Sequence, residues 1–254
     1  MAVPGILRLL RLVLHLLRGL LTCAFVFPFA DAPARGRHVQ RWSRTLLRIC
    51  RVELRSTQSA FASHALIVAN HISWLDIFVV NALQPSRFVA KSEIRDWPLI
   101  GWLCEQAGTI FIARGRLRDV RRIYQGLVER LQAGEPVAFF PEGGTSEQGS
   151  LRPFHANLFE AAIEAQVPVQ PCALQYLQPD GHLHMAVNYV DPITFLQSLW
   201  MIVTAESTIV AELAILKPIP VAPHAHRREL ADAARSAIAA ALPLCGHAQI
   251  APGA

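Results

Sequence analysis

The chain has 254 residues and a formal net charge of +5, with 52% hydrophobic and 17% charged residues. Its mean hydropathy of +0.31 is below that of a multi-span transporter and above that of an ordinary cytosolic enzyme. The length permits one domain or two small ones with a sizeable core. The five cysteines show no Cys-x-x-Cys spacing, so they do not indicate a disulfide framework, and we expect a reducing compartment.

The basic charge is concentrated at the N-terminus. Residues 1–55 contain ten arginines against Asp31 and Glu53 and are net +8, whereas the rest of the chain is net −3. This uneven distribution predicts a local electrostatic role for an N-terminal arm, residues 1–55.

Two stretches of the arm predict basic amphipathic helices. In each, the polar residues are spaced by three, four and three positions: Arg8, Arg11, His15 and Arg18 in the first, and Arg41, Arg44, Arg48 and Arg51 in the second. At about 100° per residue each set lies on one side of its helix, opposite apolar residues. We therefore expect a membrane-associated helical segment with its apolar faces in the bilayer and its arginines toward anionic headgroups.

Three other interpretations of the arm stay open. A transmembrane helix needs roughly 20 apolar residues, but the uncharged run 19–30 has twelve and contains Pro28. Residues 30–32, Ala-Asp-Ala, follow that run and resemble a signal-peptide cleavage site. Alternatively, both helices pack on a soluble core, because an arginine face is usually just solvated.

Residues 56–246 alternate strand-like and helix-like segments. Strands are predicted at 65–69, 87–90, 108–112, 136–140, 168–174, 183–190 and 208–216, and helices at 74–84, 97–106, 117–132, 155–165, 192–201 and 226–242. The alternation predicts an α/β domain with a mixed, largely parallel sheet flanked by helices. Residues 247–254 are predicted to be a frayed tail.

The segment 69–78, Ala-Asn-His-Ile-Ser-Trp-Leu-Asp-Ile-Phe, places polar side chains beside apolar ones. Ser73 and Asp76 have the spacing of a helix N-cap, which predicts a helix starting near Trp74 and His71 in the loop before it. At such a junction the carboxylate can lie beneath the imidazole, fix its tautomer and leave the other nitrogen free to take a proton. The alternative is that Asp76 only caps the helix and His71 is an ordinary loop histidine.

Residues 70–76 resemble the NHx4D block of the 1-acylglycerol-3-phosphate acyltransferase, or lysophospholipid acyltransferase, family. Three further family blocks are similar to residues 108–115 (Gly-Thr-Ile-Phe-Ile-Ala-Arg-Gly), 139–149 (containing Phe-Pro-Glu-Gly) and 167–171 (Val-Pro-Val-Gln-Pro), and the linker 88–103 resembles the family's. Four blocks in the family's order are far more specific than any one of them.

The resemblance implies transfer of a fatty acyl group from an acyl-CoA or acyl-carrier-protein thioester to the free hydroxyl of a lysolipid. The first expectation is 1-acylglycerol-3-phosphate as acceptor and phosphatidate as product, with His71 as general base and Asp76 as its orienting group. It also implies membrane lipids as partners, no nucleic acid, no cofactor or metal, and a location at the cytoplasmic face of the inner membrane.

Five residues are predicted to contact substrate. Arg114 is expected to hold phosphate, since a guanidinium can bind it bidentately, and Glu142 to bind hydroxyls or position a neighbouring donor. Gly143 and Gly144 permit a close approach of backbone to substrate, and Lys91 is expected to reach thioester or phosphate. The alternatives are solvated turns and a surface lysine.

The sequence departs from the family where Gly144-Thr145-Ser146 replaces Thr-Arg-Ser. The absent arginine is one that the family associates with the acceptor's phosphate, so a lysolipid with another headgroup, such as a lyso-ornithine lipid, is an alternative acceptor. A non-catalytic membrane lipid-binding protein and a thioesterase also stay open. His182 and His184 form too small a set to predict a metal site.

Overall fold

A computed structural model describes residues 2–112, 117–222 and 224–243, with side chains from residue 5 onward except those of 117–122. Seven strands form one sheet in the order β1-β7-β6-β2-β5-β3-β4. Their bounds are β1 Val52–Ser56, β2 Leu66–Ala69, β3 Arg87–Lys91, β4 Ile110–Ile112, β5 Val137–Phe139, β6 Val169–Leu177 and β7 Ile209–Ile215. All adjacent pairs in this sheet are parallel except β6 and β7. The predicted mixed, largely parallel sheet is confirmed.

Eight α-helices accompany the sheet in the described residues. They are α1 Ala2–Phe25, α2 Ala32–Ile49, α3 Leu75–Leu83, α4 Ile100–Gln106, α5 Leu117–Gln132, α6 Phe159–Ala165, α7 Phe195–Thr204 and α8 Arg227–Ala241. Short 3-10 turns occupy Phe27–Phe29, Ser92–Asp96, Ala156–Leu158 and Met185–Val187. All six helices predicted beyond the arm are present, and α5 has the predicted bounds.

Strand β2 separates two hydrophobic cores. Its side chains alternate between them, with Leu66 and Val68 in one core and Ile67 and Ala69 in the other, as the two-residue period of a strand requires. Residues of α2, α3 and α7 fill the core on the Ile67 side. Residues of α5, α6 and α8 fill the core on the Leu66 side. Because β2 is buried on both faces, it is apolar throughout.

One predicted strand is wrong, and one observed strand is absent from the predictions. No strand covers 183–190: Leu183 makes a single bridge to Leu177, and Met185–Val187 form a 3-10 turn. Strand β1 was not predicted, and it pairs with β7. The predicted boundary between residues 55 and 56 therefore falls inside β1, and Val52–Ser56 belong to the sheet.

The two arm helices behave differently. Helix α1 turns two of its four predicted polar residues, Arg8 and His15, toward the protein, while Arg11 and Arg18 are exposed. Arg8 Nη1 donates to the carbonyls of Val203 (2.7 Å) and Ala205 (3.1 Å) at the end of α7. His15 is buried and stacks on Trp42 of α2, with ring centroids 4.5 Å apart. The expectation that this whole set faces headgroups is therefore wrong for Arg8 and His15.

The apolar face of α1 is exposed instead, with at least 47% exposure of Ile6, Leu7, Leu10, Val13, Leu14, Leu17, Leu21 and Phe25. Residues Gly5–Phe29 are long and apolar enough to cross a membrane by length and composition. Helix α2, by contrast, buries Leu46, Leu47 and Ile49 in the core. Core packing, one of the alternatives for both helices, thus applies to α2.

Candidate active site

The two loops of the site follow neighbouring parallel strands. β2 ends at Ala69 and β5 at Phe139, so Asn70–Asp76 and Phe140–Ser146 emerge at the same edge of the sheet. Buried Asn70 fixes the first loop to β6, because its Nδ2 donates to the carbonyl of Leu174 (2.8 Å) and its Oδ1 accepts from the Leu174 amide (2.7 Å). The amide side chain thereby continues the β2–β6 pairing beyond the end of the strand.

Asp76 is fully buried and accepts four hydrogen bonds. Its Oδ2 lies 2.8 Å from His71 Nδ1, 2.7 Å from the Ile72 amide and 2.9 Å from the Ser73 amide. Its Oδ1 accepts from the Tyr176 hydroxyl at 2.6 Å. Oδ2 accepts from two backbone amides, so it is the acceptor in its contact with His71 as well. In that arrangement Nδ1 donates to Asp76, and Nε2 is the ring nitrogen directed away from the carboxylate.

The capping prediction is corrected in detail. Helix α3 begins at Leu75, one residue later than predicted, and its N-cap residue Trp74 makes no side-chain cap hydrogen bond. The carboxylate of Asp76 reaches back to the amides of Ile72 and Ser73, and Ser73 Oγ accepts from the Leu75 amide at 3.4 Å, so both predicted residues take part in capping. The same group therefore closes the helix start and contacts the imidazole, so capping and orientation of His71 are not alternatives.

A second constraint on the His71 ring is aromatic. Phe140 stacks on it, with ring centroids 4.0 Å apart and an interplanar angle of 5°. Phe88 stacks in turn on Phe140 at 5.5 Å. The His71 side chain keeps 17% exposure, and Nε2 has no hydrogen-bond partner within the part of the chain that the structure describes. The ring is thus fixed on one edge and on one face, with one nitrogen open.

Glu142 ties the two loops together. It is 4% exposed, and its carboxylate accepts from the His71 amide (2.8 Å), the Arg152 amide (2.9 Å) and Ser146 Oγ (2.9 Å). The Ser146 amide donates to the carbonyl of His71 at 2.7 Å. Both backbone groups of His71 are therefore held by the loop after β5.

Burial shifts two acidic groups near His71 in the same direction. Desolvation raises the pKa of Glu142, although the amides of Arg152 and His71 and the Ser146 hydroxyl oppose it. Burial, and then the charge of Asp76, hold the pKa of Tyr176 well above its usual value. Tyr176 therefore stays a neutral hydroxyl that donates to Asp76.

The predicted substrate residues are only partly near His71. Gly143 and Gly144 adjoin Glu142, and a Cβ at Gly143, whose φ is +71°, would lie 2.9 Å from the His155 ring. Glu142 uses its carboxylate on protein donors, which fits the prediction that it positions a neighbouring donor. Lys91 is exposed at the end of β3, two strands from β2. Arg114 lies outside the described residues.

Several groups around His71 were missed from the sequence. Tyr176 lies 100 residues from Asp76, and nothing in its own strand indicates the contact. Phe140 immediately precedes the Pro-Glu-Gly block and reads as the last residue of a strand. Asn70 is a polar residue directly after an apolar strand, a pattern that predicts a buried side chain with a hydrogen-bond partner.

No group of three or more potential metal ligands occurs in the described ranges. His184 Nε2 lies 3.0 Å from Ser207 Oγ, and the residue is buried, whereas His182 is exposed. These two histidines therefore differ in environment and do not converge.

The chain is similar to known acyltransferases. The family model described as Acyltransferase matches residues 51–175. Over 216 residues, 85% of this chain and 82% of the relative, the sequence is 40% identical to the lyso-ornithine lipid O-acyltransferase of Pseudomonas aeruginosa. Over 139 residues, 55% of this chain and 54% of the relative, it is 44% identical to the 1-acyl-sn-glycerol-3-phosphate acyltransferase of Neisseria gonorrhoeae.

A solved structure has the same fold. The crystal structure of the 1-acyl-sn-glycerophosphate acyltransferase PlsC from Thermotoga maritima superposes with a TM-score of 0.64, covering 92% of this chain and 95% of that one at 18% identity. At that identity the likeness shows the fold alone. The 40% identity over most of both chains, together with the matching family model, shows that this chain belongs to the acyltransferase family.

Proposed function

We propose that the chain transfers a fatty acyl group from a thioester to the hydroxyl of a lysolipid, with His71 as general base and Asp76 as the group that orients it. The observation that carries the proposal is the 2.8 Å contact of His71 Nδ1 with the buried Asp76 carboxylate, which leaves Nε2 open. Oriented general bases of this kind contribute roughly 10²–10⁴-fold to a rate.

The reaction needs one proton to move twice. Nε2 takes the proton of the lysolipid hydroxyl while the hydroxyl oxygen attacks the thioester carbonyl carbon. The tetrahedral intermediate then loses its C–S bond, and the departing thiolate takes the proton from the imidazolium. The products are an ester and a free thiol, no acyl-enzyme forms, and the ionised Asp76 stabilises the imidazolium between the two steps.

The surroundings of His71 support this role by holding it still. Phe140 fixes the plane of the ring, and Glu142 and Ser146 hold the backbone on both sides of it. Preorganisation matters because a misplacement of about 1 Å can cost roughly 10²-fold in rate.

Two acceptors have specific support. A lyso-ornithine lipid is favoured by the relative that matches over 82% of its own length and by Thr145, which takes the place of the family's arginine and donates its hydroxyl to the carbonyl of Tyr189. 1-Acylglycerol-3-phosphate is favoured by the 44% identity to the Neisseria gonorrhoeae protein and by Arg114. The acyl donor is acyl-CoA or acyl-carrier protein, and the chemistry requires neither cofactor nor metal.

Helix α1 supplies membrane attachment, lying in the bilayer interface rather than across the membrane. Its buried residues, from Gly5 through His15 and Gly19 to Cys23, keep it against the protein along its length. Helix α2 packs beside it and exposes Arg35, Arg37, Arg41, Arg44 and Arg48. A transbilayer α1 would draw these arginines into hydrocarbon, at roughly 2.5–3.5 kcal/mol each. A flat α1 at the cytoplasmic face of the inner membrane avoids that cost.

The test is acyl transfer by purified full-length protein and by its His71→Ala variant. The donors are a labelled acyl-CoA and the labelled acyl thioester of acyl-carrier protein, and the acceptors are lysophosphatidate and a lyso-ornithine lipid. The acylated product is separated from free fatty acid. We expect transfer by the wild type and a loss of about 10³-fold or more in the variant. His182→Ala, which alters an exposed histidine, is the matched control and should retain full activity.

Three results would overturn the proposal. Full activity of His71→Ala would show that His71 is not the general base. Release of free fatty acid that is independent of any lysolipid would indicate a thioesterase. Absence of turnover with both donors and both acceptors would favour a lipid-binding protein. The ratio of rates on the two acceptors decides the headgroup.

A further inference from the structure

A second exposed apolar surface lies outside the arm. It consists of five side chains, which we call the aromatic face, with the following exposed fractions: Trp97 42%, Leu99 57%, Trp102 38%, Leu196 73% and Trp200 46%. Three of the five tryptophans of the chain are in this set. Scattered exposed leucines need no explanation, but several large apolar side chains on adjoining elements mark an interaction surface.

The elements that carry the aromatic face touch one another. The Trp97 ring, just ahead of α4, lies 6.2 Å from the ring of Phe195, the first residue of α7. Leu196 and Trp200 follow on α7 at a spacing of four residues, which places them on one side of that helix. The residues before α4 and the exposed side of α7 thus form one surface.

Helix α1 lies next to the elements that carry the aromatic face. Arg8 of α1 donates to the carbonyls of Val203 and Ala205, where α7 ends. Gly5 of α1 approaches Thr204 so closely that a Cβ there would lie 2.9 Å from its Cγ2. Helix α1 also lies against α4. The apolar side chains of α1, α4 and α7 therefore belong to adjoining parts of one side of the molecule.

The same surface leads to the candidate catalytic loop. Phe195 contacts Trp74, with ring centroids 5.5 Å apart, and Trp74 Nε1 donates to Ser198 Oγ of α7 at 3.2 Å. Trp74 is three residues after His71. The aromatic face is therefore connected, through Phe195 and Trp74, to the start of α3 beside the catalytic loop.

The composition fits a lipid bilayer better than a protein partner. Tryptophan is enriched where a membrane meets water, because its ring is apolar and its N–H is polar. Leu99 also adopts a φ of +62°, a conformation that is unfavourable for a leucine, and its side chain is exposed. The +8 charge of residues 1–55 suits an anionic leaflet next to this surface.

We propose that the aromatic face enters the bilayer interface together with α1, so that the acyltransferase domain docks on the membrane through its own α4 and α7. The occupant is an anionic lipid bilayer. The proposal rests on the proposed function, in that the acceptor is a membrane lipid, but the docking can be measured without any turnover.

The test uses full-length protein with Leu99→Asp and Leu196→Asp, the two most exposed members of the aromatic face. The control carries Ala233→Asp and Ser236→Asp, which make the same change of charge at exposed positions of α8, beyond the other face of the sheet. Partition into vesicles of phosphatidylglycerol and phosphatidylethanolamine is measured by sedimentation, and thermal unfolding confirms that each variant is folded.

We expect the aromatic-face variant to lose at least tenfold in vesicle partition, while the control stays within twofold of the wild type. Acyl transfer to a long-chain lysolipid in vesicles should fall in parallel, and transfer to a short-chain, water-soluble lysolipid should not change. Equal partition of both variants would overturn the proposal. The proposal would also be overturned if the wild type were a dimer and only the aromatic-face variant were a monomer, since a second copy of the chain would then cover the face.

Failure of the proposed function has a different signature. If the wild type transfers no acyl group to either acceptor, the catalytic proposal falls, and vesicle partition of the two variants still decides whether the aromatic face docks.

Discussion

Two regions of the molecule depart from the usual rule that polar side chains are exposed and apolar side chains are buried. Around His71, polar groups are buried: Asp76, Glu142, Asn70 and Ser146 are each at most 4% exposed. On α1 and the aromatic face, large apolar side chains are exposed. Buried polar groups are tolerated when hydrogen bonds replace water, and every one of these four has such bonds.

The exposed apolar side has no comparable compensation inside the protein. Its leucines and tryptophans gain only when something outside removes them from water. The first region is therefore complete in the isolated chain, whereas the second, under the docking proposal, is completed by a membrane. Chemistry and membrane docking should consequently be separable by mutation, and the following experiments test that separation.

Asp76→Asn should have the largest effect and should act on chemistry alone. Asparagine replaces one accepting oxygen of the carboxylate by an N–H₂ group, which cannot accept a hydrogen bond from the donors that now point at it. The tautomer and orientation of His71 are therefore lost. We expect kcat to fall by about 10³- to 10⁴-fold, equally for vesicle-borne and water-soluble acceptors, with unchanged vesicle binding. Retention of more than a tenth of the wild-type kcat would contradict the role given to Asp76.

A matched pair of leucines compares the two helices of the arm. Leu47 of α2 is 3% exposed and Leu14 of α1 is 57% exposed. Leu47→Ala should lower the free energy of unfolding by about 2–5 kcal/mol, and Leu14→Ala should change it by less than about 0.5 kcal/mol.

Vesicle partition should show the reverse order for this pair. Leu14→Ala should weaken binding, whereas folded Leu47→Ala protein should bind as the wild type does. Equal losses of stability in denaturant titrations of the two variants would show that α1 is also a core helix.

These two helices also show where sequence reasoning stops. The same three-four-three spacing of basic residues correctly indicates an amphipathic helix in both cases, because periodicity is a local property. Which side faces the protein is decided by the partner: α7 offers open carbonyls to Arg8, and Trp42 offers a ring to His15. A partner that lies 195 residues away leaves no signal in the helix itself.

In the sheet and the catalytic loop, too, local patterns were predicted from the sequence and contacts with distant residues were not. Apolar runs between turn residues predicted β2, β5, β6 and β7, and residues 70–76 predicted the contact of His71 with Asp76. Strand β1 was missed because Val52–Ser56, Val-Glu-Leu-Arg-Ser, is an edge strand with one buried residue and reads as polar. Residues 183–190 alternate like a strand but make only one bridge.

Glu142→Gln should have an intermediate effect on chemistry and almost none on docking. An amide has one acceptor oxygen, and three donors now point at the carboxylate, so the His71 loop loses part of its support. We expect kcat to fall by about 10²-fold with little change in KM, measured by steady-state acyl transfer. An unchanged kcat would mean that the loop needs no such support.

The same variant tests the shifted pKa of Glu142. Burial raises this pKa above its value in the unfolded chain, so the linked stability is present below the unfolded pKa and is lost as the pH rises through the folded pKa. Wild-type protein should therefore lose a little unfolding free energy across that interval, and the glutamine variant should not. Identical pH profiles of the two proteins in denaturant titrations would contradict the shift.

Tyr176→Phe should have the smallest effect, and it separates a loss of stability from a loss of catalytic rate. The phenylalanine ring keeps the packing of this fully buried side chain, and Asp76 loses one of its four donors while Oδ2 keeps its contact with His71 Nδ1. We expect the free energy of unfolding to fall by about 1.5 kcal/mol and kcat to fall by less than about tenfold. Vesicle partition should be unchanged, because the hydroxyl lies in the core and touches neither α1 nor the aromatic face. A larger loss of kcat than Glu142→Gln causes would make Tyr176, rather than the loop after β5, the main support of the His71–Asp76 pair.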